Sequence, residues 1–527
     1  MEKTMVRHGN EKNSQWKQSV KVWMHPKVGA MLFLGFSAGI PLLLIFSTLS
    51  VWLREAGVSK ATVTFFSWAA LGYSFKFVWA PIVDLMPLPY LTRRLGRRRS
   101  WLLVAQLAVI SSIVWMAVTN PAENINNLTV MAMAAVLLGF SSATQDIVID
   151  AYRIECSETE MQAMLASTYI AGYRIGMIVA GAGSLFLASY MGTTRTLYSY
   201  NAWKVTYLCM AAAMLVGVLT TLCIDEPEGD KEQRHEYSVY DYLRFLTLFF
   251  LAVTGFIGAF IYSGNFAAEL KIQASDIFAN WTGIANFLIE LLRFVSAVAA
   301  ALIVAKAVEM AGIVNSQMVR RTYIAPVKDF FVRYGGKAAL MILLLVGFYR
   351  LSDIVLGVVS NVFYLDMGFS KNIIGGITKS FGLGMTLVGG FLGGMLTVRF
   401  GVHSILLLGA FLSSVTNLLF MLLAGSGTDV TMLTMVIAAD NLSAGVATTA
   451  FIAFLSSLTS VSFTAVQYAI FSSIMTLFPK LIGGYSGTMV SSYGYEKFFL
   501  LTAVMGIPVL VLAWVVSTIF RNRKTVP

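Results

Sequence analysis

Long apolar runs joined by short polar stretches dominate the chain. Six runs lie near 28–53, 61–84, 100–119, 128–151, 162–190 and 203–223, two more near 241–263 and 280–305, and a second six near 338–363, 372–397, 403–424, 430–453, 462–485 and 497–519. Each approaches or exceeds the roughly 20 residues that a helix needs to cross the hydrocarbon core of a bilayer. A backbone in lipid must satisfy its own polar groups, so the pattern predicts an all-α polytopic membrane protein with 6+2+6 (14) transmembrane helices. The corresponding domains are an N-terminal extension 1–27, a six-helix bundle 28–223, a linker 224–337 with an inserted helical hairpin at about 241–305, a second six-helix bundle 338–519 and a tail 520–527.

Composition agrees: 57% hydrophobic and 12% charged residues are too apolar for a soluble globule. The net charge of +11 comes from the N-terminus, Arg93–Arg99, the stretch Lys306–Lys337 and Arg521–Lys524. All fall on one side if the N-terminus is cytoplasmic, and an even number of spans then makes both termini cytoplasmic. No separate basic domain remains to bind nucleic acid. The first run is too long for a signal peptide, so a retained span is expected. Cys156, Cys209 and Cys223 have no disulfide or zinc spacing. Gly335-Gly-Lys337 lacks the first glycine and final hydroxyl of a phosphate loop, so no cofactor is expected and an ion gradient is the expected energy source.

The two sixes carry a repeated joint. Trp52-Leu-Arg-Glu-Ala-Gly-Val-Ser-Lys60 and Tyr364-Leu-Asp-Met-Gly-Phe-Ser-Lys371 align Gly57 with Gly368, Ser59 with Ser370 and Lys60 with Lys371 at one constant offset. Two related halves rocking about a midplane site would give alternating access. Gly172/Gly176 and Gly390/Gly394 place small residues one turn apart, a pattern for close helix packing.

Ionisable groups inside spans are costly and mark candidate sites. Asp146 and Asp150 share a helix face, with Gln145 and Arg153 beside it. Arg174 is at mid-span, suited to a substrate carboxylate or to Asp146 or Asp150. Arg350 and Asp353 lie on one face of a later span, followed by Lys379, Asp440-Asn441 and Gln467. The candidate substrate-binding or proton-coupling set is therefore Gln145, Asp146, Asp150, Arg174, Asp353, Lys379, Asp440, Asn441 and Gln467. Asp84 beside Arg97, Arg98 and Arg99 has the pattern of a cytoplasmic gate latch, and Lys76, before Pro81, joins the gating set. Glu290 and Arg293, three apart, are expected to pair within the inserted hairpin. His8, His25, His235 and His403 lie at ends or loops, which leaves Asp146, Asp150 or Asp440 as proton carriers in a symporter. A carboxylate's proton affinity depends on its cationic neighbours, so a substrate that competes for an arginine would couple binding to protonation.

Phe75-Lys-Phe-Val-Trp-Ala-Pro81, Gly96-Arg-Arg-Arg99, Ala143-Thr-Gln-Asp-Ile-Val-Ile-Asp-Ala151, Gly172-Tyr-Arg-Ile-Gly-Met177, Asp440-Asn-Leu-Ser-Ala-Gly445 and Gln467-Tyr-Ala469 together resemble the AmpG muropeptide permeases of the major facilitator superfamily. The likeness covers both six-helix halves and extends to the inserted pair. It implies a proton-driven importer of anhydro-muropeptides in a Gram-negative inner membrane, serving peptidoglycan recycling and β-lactamase induction; a monomer is expected. It also implies that Gln145, Asp146, Asp150, Arg174, Lys379, Asp440 and Asn441 line or gate the path. Asp440, Arg350 and Thr378 depart from the family's usual glutamate, lysine and asparagine, which bears on peptide preference. The alternatives are an acetyl-CoA or other organic-anion transporter of the same branch, a facilitator without ion coupling, and a polytopic enzyme acting on lipid-linked sugars. For the last, stretches 224–240 and 306–337 carry no nucleophile-and-base constellation.

Overall fold

The computed structural model describes residues 25–58, 66, 73, 75–157, 161–193, 197–227, 237–277, 282–369, 373–483 and 486–524. Among these every regular element is helical. The principal helices are α1 (Pro26–Glu55), α2 (Ala80–Leu85), α3 (Arg97–Ala117), α4 (Ile125–Glu155), α5 (Gln162–Tyr190), α6 (Tyr200–Cys223), α7 (Val239–Ile277), α8 (Thr282–Met310), α9 (Gly336–Phe348), α10 (Leu351–Asp366), α11 (Ile374–Phe400), α12 (Val402–Gly425), α13 (Val430–Leu458), α14 (Thr464–Gly483) and α15 (Ser486–Lys524), with shorter ones such as Leu91–Leu95 and Ala325–Tyr334 between them. Eleven helices among the described residues are long and apolar enough to cross a membrane. The predicted span 61–84 lies largely outside the described residues; its end is the short turn Lys76–Val78 followed by α2, which opens on Pro81 where a missing amide hydrogen costs nothing.

Large apolar side chains point outward, including Phe186 at 77% and Trp514 at 62% exposure, as lipid-facing positions require. Inside, helices approach through small residues. A β-carbon on Gly172 would overlap the Leu32 carbonyl oxygen, and one on Gly176 the Phe36 carbonyl oxygen; Gly35 and Gly39 of α1 face the Tyr169 and Tyr173 carbonyls in return. α1 and α5 thus pack backbone to backbone, and Gly389, Gly393 and Gly445 do the same for α11 and α13. Gly394 instead meets Ser167 and Met164, so α11 of the second half crosses the start of α5 in the first.

The repeated joint has one geometry in both places. Gly57 and Gly368 have φ of 82° and 88°, a region that strains any side-chain-bearing residue. The Val58 amide donates to Leu53 at 2.9 Å and the Phe369 amide to Tyr364 at 3.1 Å. Both are helix C-caps that release orphan carbonyls from water and turn the chain. The Ser59/Ser370 and Lys60/Lys371 pairs lie outside the described residues.

Two compact units emerge: Met1–Asp230 with Phe330–Pro527, and Lys231–Asp329. In the second, α7 and α8 pack as a hairpin. The Arg293 guanidinium lies 3.9 Å from the Phe260 ring centroid and donates to the Phe260 carbonyl at 2.7 and 3.1 Å and to the Ser263 hydroxyl at 3.3 Å. The hairpin's half-buried arginine is thus satisfied by backbone, hydroxyl and ring; the Glu290 side chain lies outside the described residues.

Candidate functional site

The interior polar groups form three tiers. At the basic end of the bundle, Arg98 is fully buried. Its Nη2 is 2.6 Å from Asp84 Oδ1 and 2.5 Å from Glu155 Oε1, and its Nε donates to Glu155 Oε2 at 2.9 Å. A guanidinium out of water needs such paired, short contacts. Arg97 Nη1 donates to the Asp84 carbonyl. Glu226 accepts from the Arg98 and Arg99 amides at 2.8 and 3.1 Å, a carboxylate at the positive end of α3. Arg99 caps α6, donating to the Thr221 and Leu222 carbonyls at 3.0 and 2.8 Å. The second Asp84 oxygen accepts from the Val466 amide at 3.3 Å, so this carboxylate ties α2 to the first turn of α14 in the other half.

One step deeper, Asp150 is shared by two cations: Lys76 Nζ at 3.5 Å from Oδ2 and Arg153 Nη2 at 3.4 Å from Oδ1. Arg153 is wholly buried and crosses the interface, donating to the Ser456 hydroxyl of α13 at 2.7 Å while its guanidinium lies 5.2 Å from the Tyr468 ring centroid. It also reaches Gln162 Oε1 at 3.3 Å. Lys76 is buried here against Asp150 rather than extended to the membrane surface. At 1.5 Å per residue, Asp150 and Asp146 sit about 8 and 14 Å from the basic end of α4. Asp146 accepts from the Tyr169 hydroxyl at 3.4 Å. Gln145 faces into its own half, completely buried, and donates to Ser37 at 3.0 Å.

At mid-span the groups come from both halves. Arg174, roughly 18 Å into α5, lies 3.9 Å from the Met177 sulfur, and among the described residues it pairs with neither Asp146 nor Asp150. Arg350 occupies the interruption between α9 and α10. Asp353 accepts from Ser413 at 3.4 Å and Asp440 from Thr416 at 3.4 Å, both hydroxyls on α12. Asn441 accepts from Thr386 at 2.9 Å and donates to the Ile437 carbonyl at 3.0 Å. The Lys379 side chain lies outside the described residues. Gln467 stands apart at the basic end, accepting from Arg333 at 2.9 Å and from the Ser460 amide at 2.8 Å.

Asp146, Asp150 and Glu155 thus follow one another along α4, with Lys76 and Arg153 on Asp150 and with Arg98 joining Glu155 to Asp84, while Asp353 and Asp440 both bond to hydroxyls of α12. Sequence reasoning passed over Glu155, Glu226, Gln162 and Ser456. Glu155 carries a signal, since it is a carboxylate closing the same helix that holds Asp146 and Asp150; Ser456 carries none, because one serine in an apolar helix is unremarked until its partner is known.

Comparisons with known proteins follow the same lines. A family model described as acetyl-coenzyme A transporter 1 matches residues 30–224. A Rickettsia conorii transporter named AmpG 4 is 30% identical, covering 94% of this chain and 98% of its own length. The anhydromuropeptide permease of Escherichia coli is 27% identical over 94% of this chain and 80% of its own. Among solved structures, the proton:xylose symporter XylE aligns with a TM-score of 0.54 at 13% identity, covering 97% of this chain and 96% of its own. The Escherichia coli fucose:proton symporter FucP aligns at 0.58 and 11%, covering 93% and 98%. At these identities the likeness is one of fold, and the fold is that of the major facilitator transporters.

Proposed function

The chain belongs to the AmpG family, a multi-pass membrane transporter and not an enzyme, and from that premise we propose that it imports anhydro-muropeptides by proton symport for peptidoglycan recycling. The near-full-length likeness to AmpG relatives, one of them an anhydromuropeptide permease, carries the reading. It operates as a monomer in a Gram-negative inner membrane, with fourteen spans in two six-helix halves, an inserted pair and both termini cytoplasmic.

The chemistry of the interior supports the mechanism. A disaccharide peptide offers hydroxyls, amides and carboxylates, matched by Arg174, Arg350, Asn441 and nearby tyrosines. Asp146 and Asp440 are hydrogen-bonded by single hydroxyls and belong to no ion pair among the described residues, which suits them to exchange a proton. Asp150, held by two cations, and Asp84, held by Arg98 and the Val466 amide, act in gating. Alternating access then consists of breaking the Asp84 and Arg153 ties as the halves rock.

The test is uptake of labelled anhydro-muropeptide into proteoliposomes holding the purified protein, with and without an imposed pH gradient. Accumulation above equilibrium only with the gradient is expected; uptake that ignores the gradient sinks the symport, and no uptake sinks the substrate. A second reading, an acetyl-CoA or other organic-anion transporter, is favoured by the match over residues 30–224. Coenzyme A that is itself accumulated, rather than failing to compete, would establish it.

A further inference from the structure

Three tyrosines of the first half gather round one face of α4. Ser142 and Asp146 share that face, one turn apart. The Tyr73 hydroxyl donates to Ser142 Oγ at 2.6 Å, and the Tyr169 hydroxyl donates to Asp146 Oδ1 at 3.4 Å. The Tyr169 and Tyr173 rings follow one another on α5, with centroids 6.1 Å apart and planes tilted by 50°. All three tyrosines are half-buried. They do not face lipid: at 3.6 residues per turn, Tyr173 stands about 160° and 140° round α5 from Ile175 and Ile178, which are exposed on the outer side. Among the described residues, the second Asp146 oxygen and the Tyr173 hydroxyl make no hydrogen bond.

A sugar ring offers two chemistries at once: a rim of hydroxyls that donate to carboxylates and exchange bonds with other hydroxyls, and apolar C–H faces that pack on aromatic rings. A carboxylate with one oxygen to spare, an unbonded phenol and two rings turned inward match both. An ammonium is the other ligand of rings and a carboxylate, but Lys76 and Arg153, held on Asp150 one turn along the same face, repel a cation and leave a neutral sugar untouched. We infer that Tyr73, Tyr169 and Tyr173, with Ser142 and Asp146, form a sugar cradle in the first half that receives one ring of the cargo's disaccharide. Its wall is fixed, because Gly35 and Gly39 of α1 lie against the Tyr169 and Tyr173 carbonyl oxygens and hold α5 at these two residues. The inference deepens the muropeptide reading and rests on it only for the identity of the sugar.

Titration calorimetry on the full-length protein in detergent tests it with three ligands: an intact anhydro-muropeptide, its disaccharide without peptide, and its peptide without sugar. The proteins are the wild type, Tyr173→Leu, Tyr173→Phe and Tyr169→Phe, each checked for a monodisperse folded state. The wild type is expected to bind the disaccharide. Tyr173→Leu, which removes ring and hydroxyl, should weaken it roughly tenfold or more; each phenylalanine variant, which removes one hydroxyl, should weaken it about threefold. A wild type that binds the muropeptide but not the disaccharide overturns the cradle and leaves the muropeptide reading intact. So does a folded Tyr173→Leu variant with wild-type affinity for the disaccharide or, should that variant not fold, wild-type affinity in both phenylalanine variants. A free peptide that loses as much affinity as the disaccharide in Tyr173→Leu assigns the rings to the peptide and also overturns the cradle. Disaccharide binding that depends on Tyr173, in a protein that does not bind the muropeptide, upholds the cradle and ends the muropeptide reading. A folded wild type that binds neither overturns both.

Discussion

The Arg153 guanidinium donates to the Ser456 hydroxyl at 2.7 Å, joining residues 303 positions apart across the interface of the two halves. A bond to a charged donor contributes about 1.5–3 kcal/mol, so Ser456→Ala should shift the balance toward a carrier open at its basic end by roughly tenfold or more. Cys156, buried just past α4, reports this opening. In a Cys209→Ser/Cys223→Ser background its maleimide labelling rate should rise by that factor; an unchanged rate would show that the contact does not hold the end shut.

Cys156 also makes a pH prediction. Burial pushes its thiol up to about 11, only partly offset by Lys27 and Arg153. Only the thiolate reacts. Labelling of the closed carrier should therefore keep rising about tenfold per pH unit up to about 11, whereas an open carrier should level off near the ordinary thiol value. The raised pKa means that the closed form holds its proton more tightly. Its contribution to stability is whole below the ordinary thiol range and is lost as pH rises through about 11. A plateau at the ordinary value in the untreated protein contradicts the burial.

Asp150 lies between Lys76 and Arg153. Asp150→Asn should leave two buried cations without their shared anion and cost on the order of 3–5 kcal/mol, seen as a marked drop in the thermal unfolding midpoint in detergent. Lys76→Met in the same chain removes one of the two stranded charges, so the double variant should be more stable than Asp150→Asn alone. Additive losses in the double-mutant cycle would show that the pair is not coupled.

Gly172 and Gly258 should answer alanine in opposite ways. At Gly172 the added methyl overlaps the Leu32 carbonyl oxygen, so α1 and α5 must separate, at about 1–3 kcal/mol. At Gly258 nothing lies within 4 Å and alanine is the better helix former, by about 0.5–1 kcal/mol. Thermal unfolding of the two variants should move in opposite directions from the wild type.

Much of the scaffold was legible because its causes are local. A run of about 20 apolar residues has no low-energy alternative to a helix in lipid, so most predicted spans coincide with described helices. Gly57 and Gly368 both take the left-handed turn that their matching sequence contexts foretold. The Asp84–Arg98 ion pair was readable, since a carboxylate and arginines so close in sequence have few other partners.

The partners of the buried charges were not legible, because pairing in a bundle depends on which helix faces which. Arg174 was read as a mate for a substrate carboxylate or for Asp146 or Asp150, yet Asp150 is taken by Lys76 and Arg153, and among the described residues Arg174 makes no ion pair with either aspartate. Gln145, next to Asp146 in sequence, points a third of a turn away into its own half and meets Ser37. Gln467 was grouped with the mid-span residues but braces a loop with Arg333. The sequence alone thus determined that this chain lives in lipid as paired sets of helices with ionisable groups inside them. Only the packed structure decided which charges pair with which, because that follows from helix rotation and crossing, set by contacts such as Gly172 on Leu32 that join residues far apart in the chain.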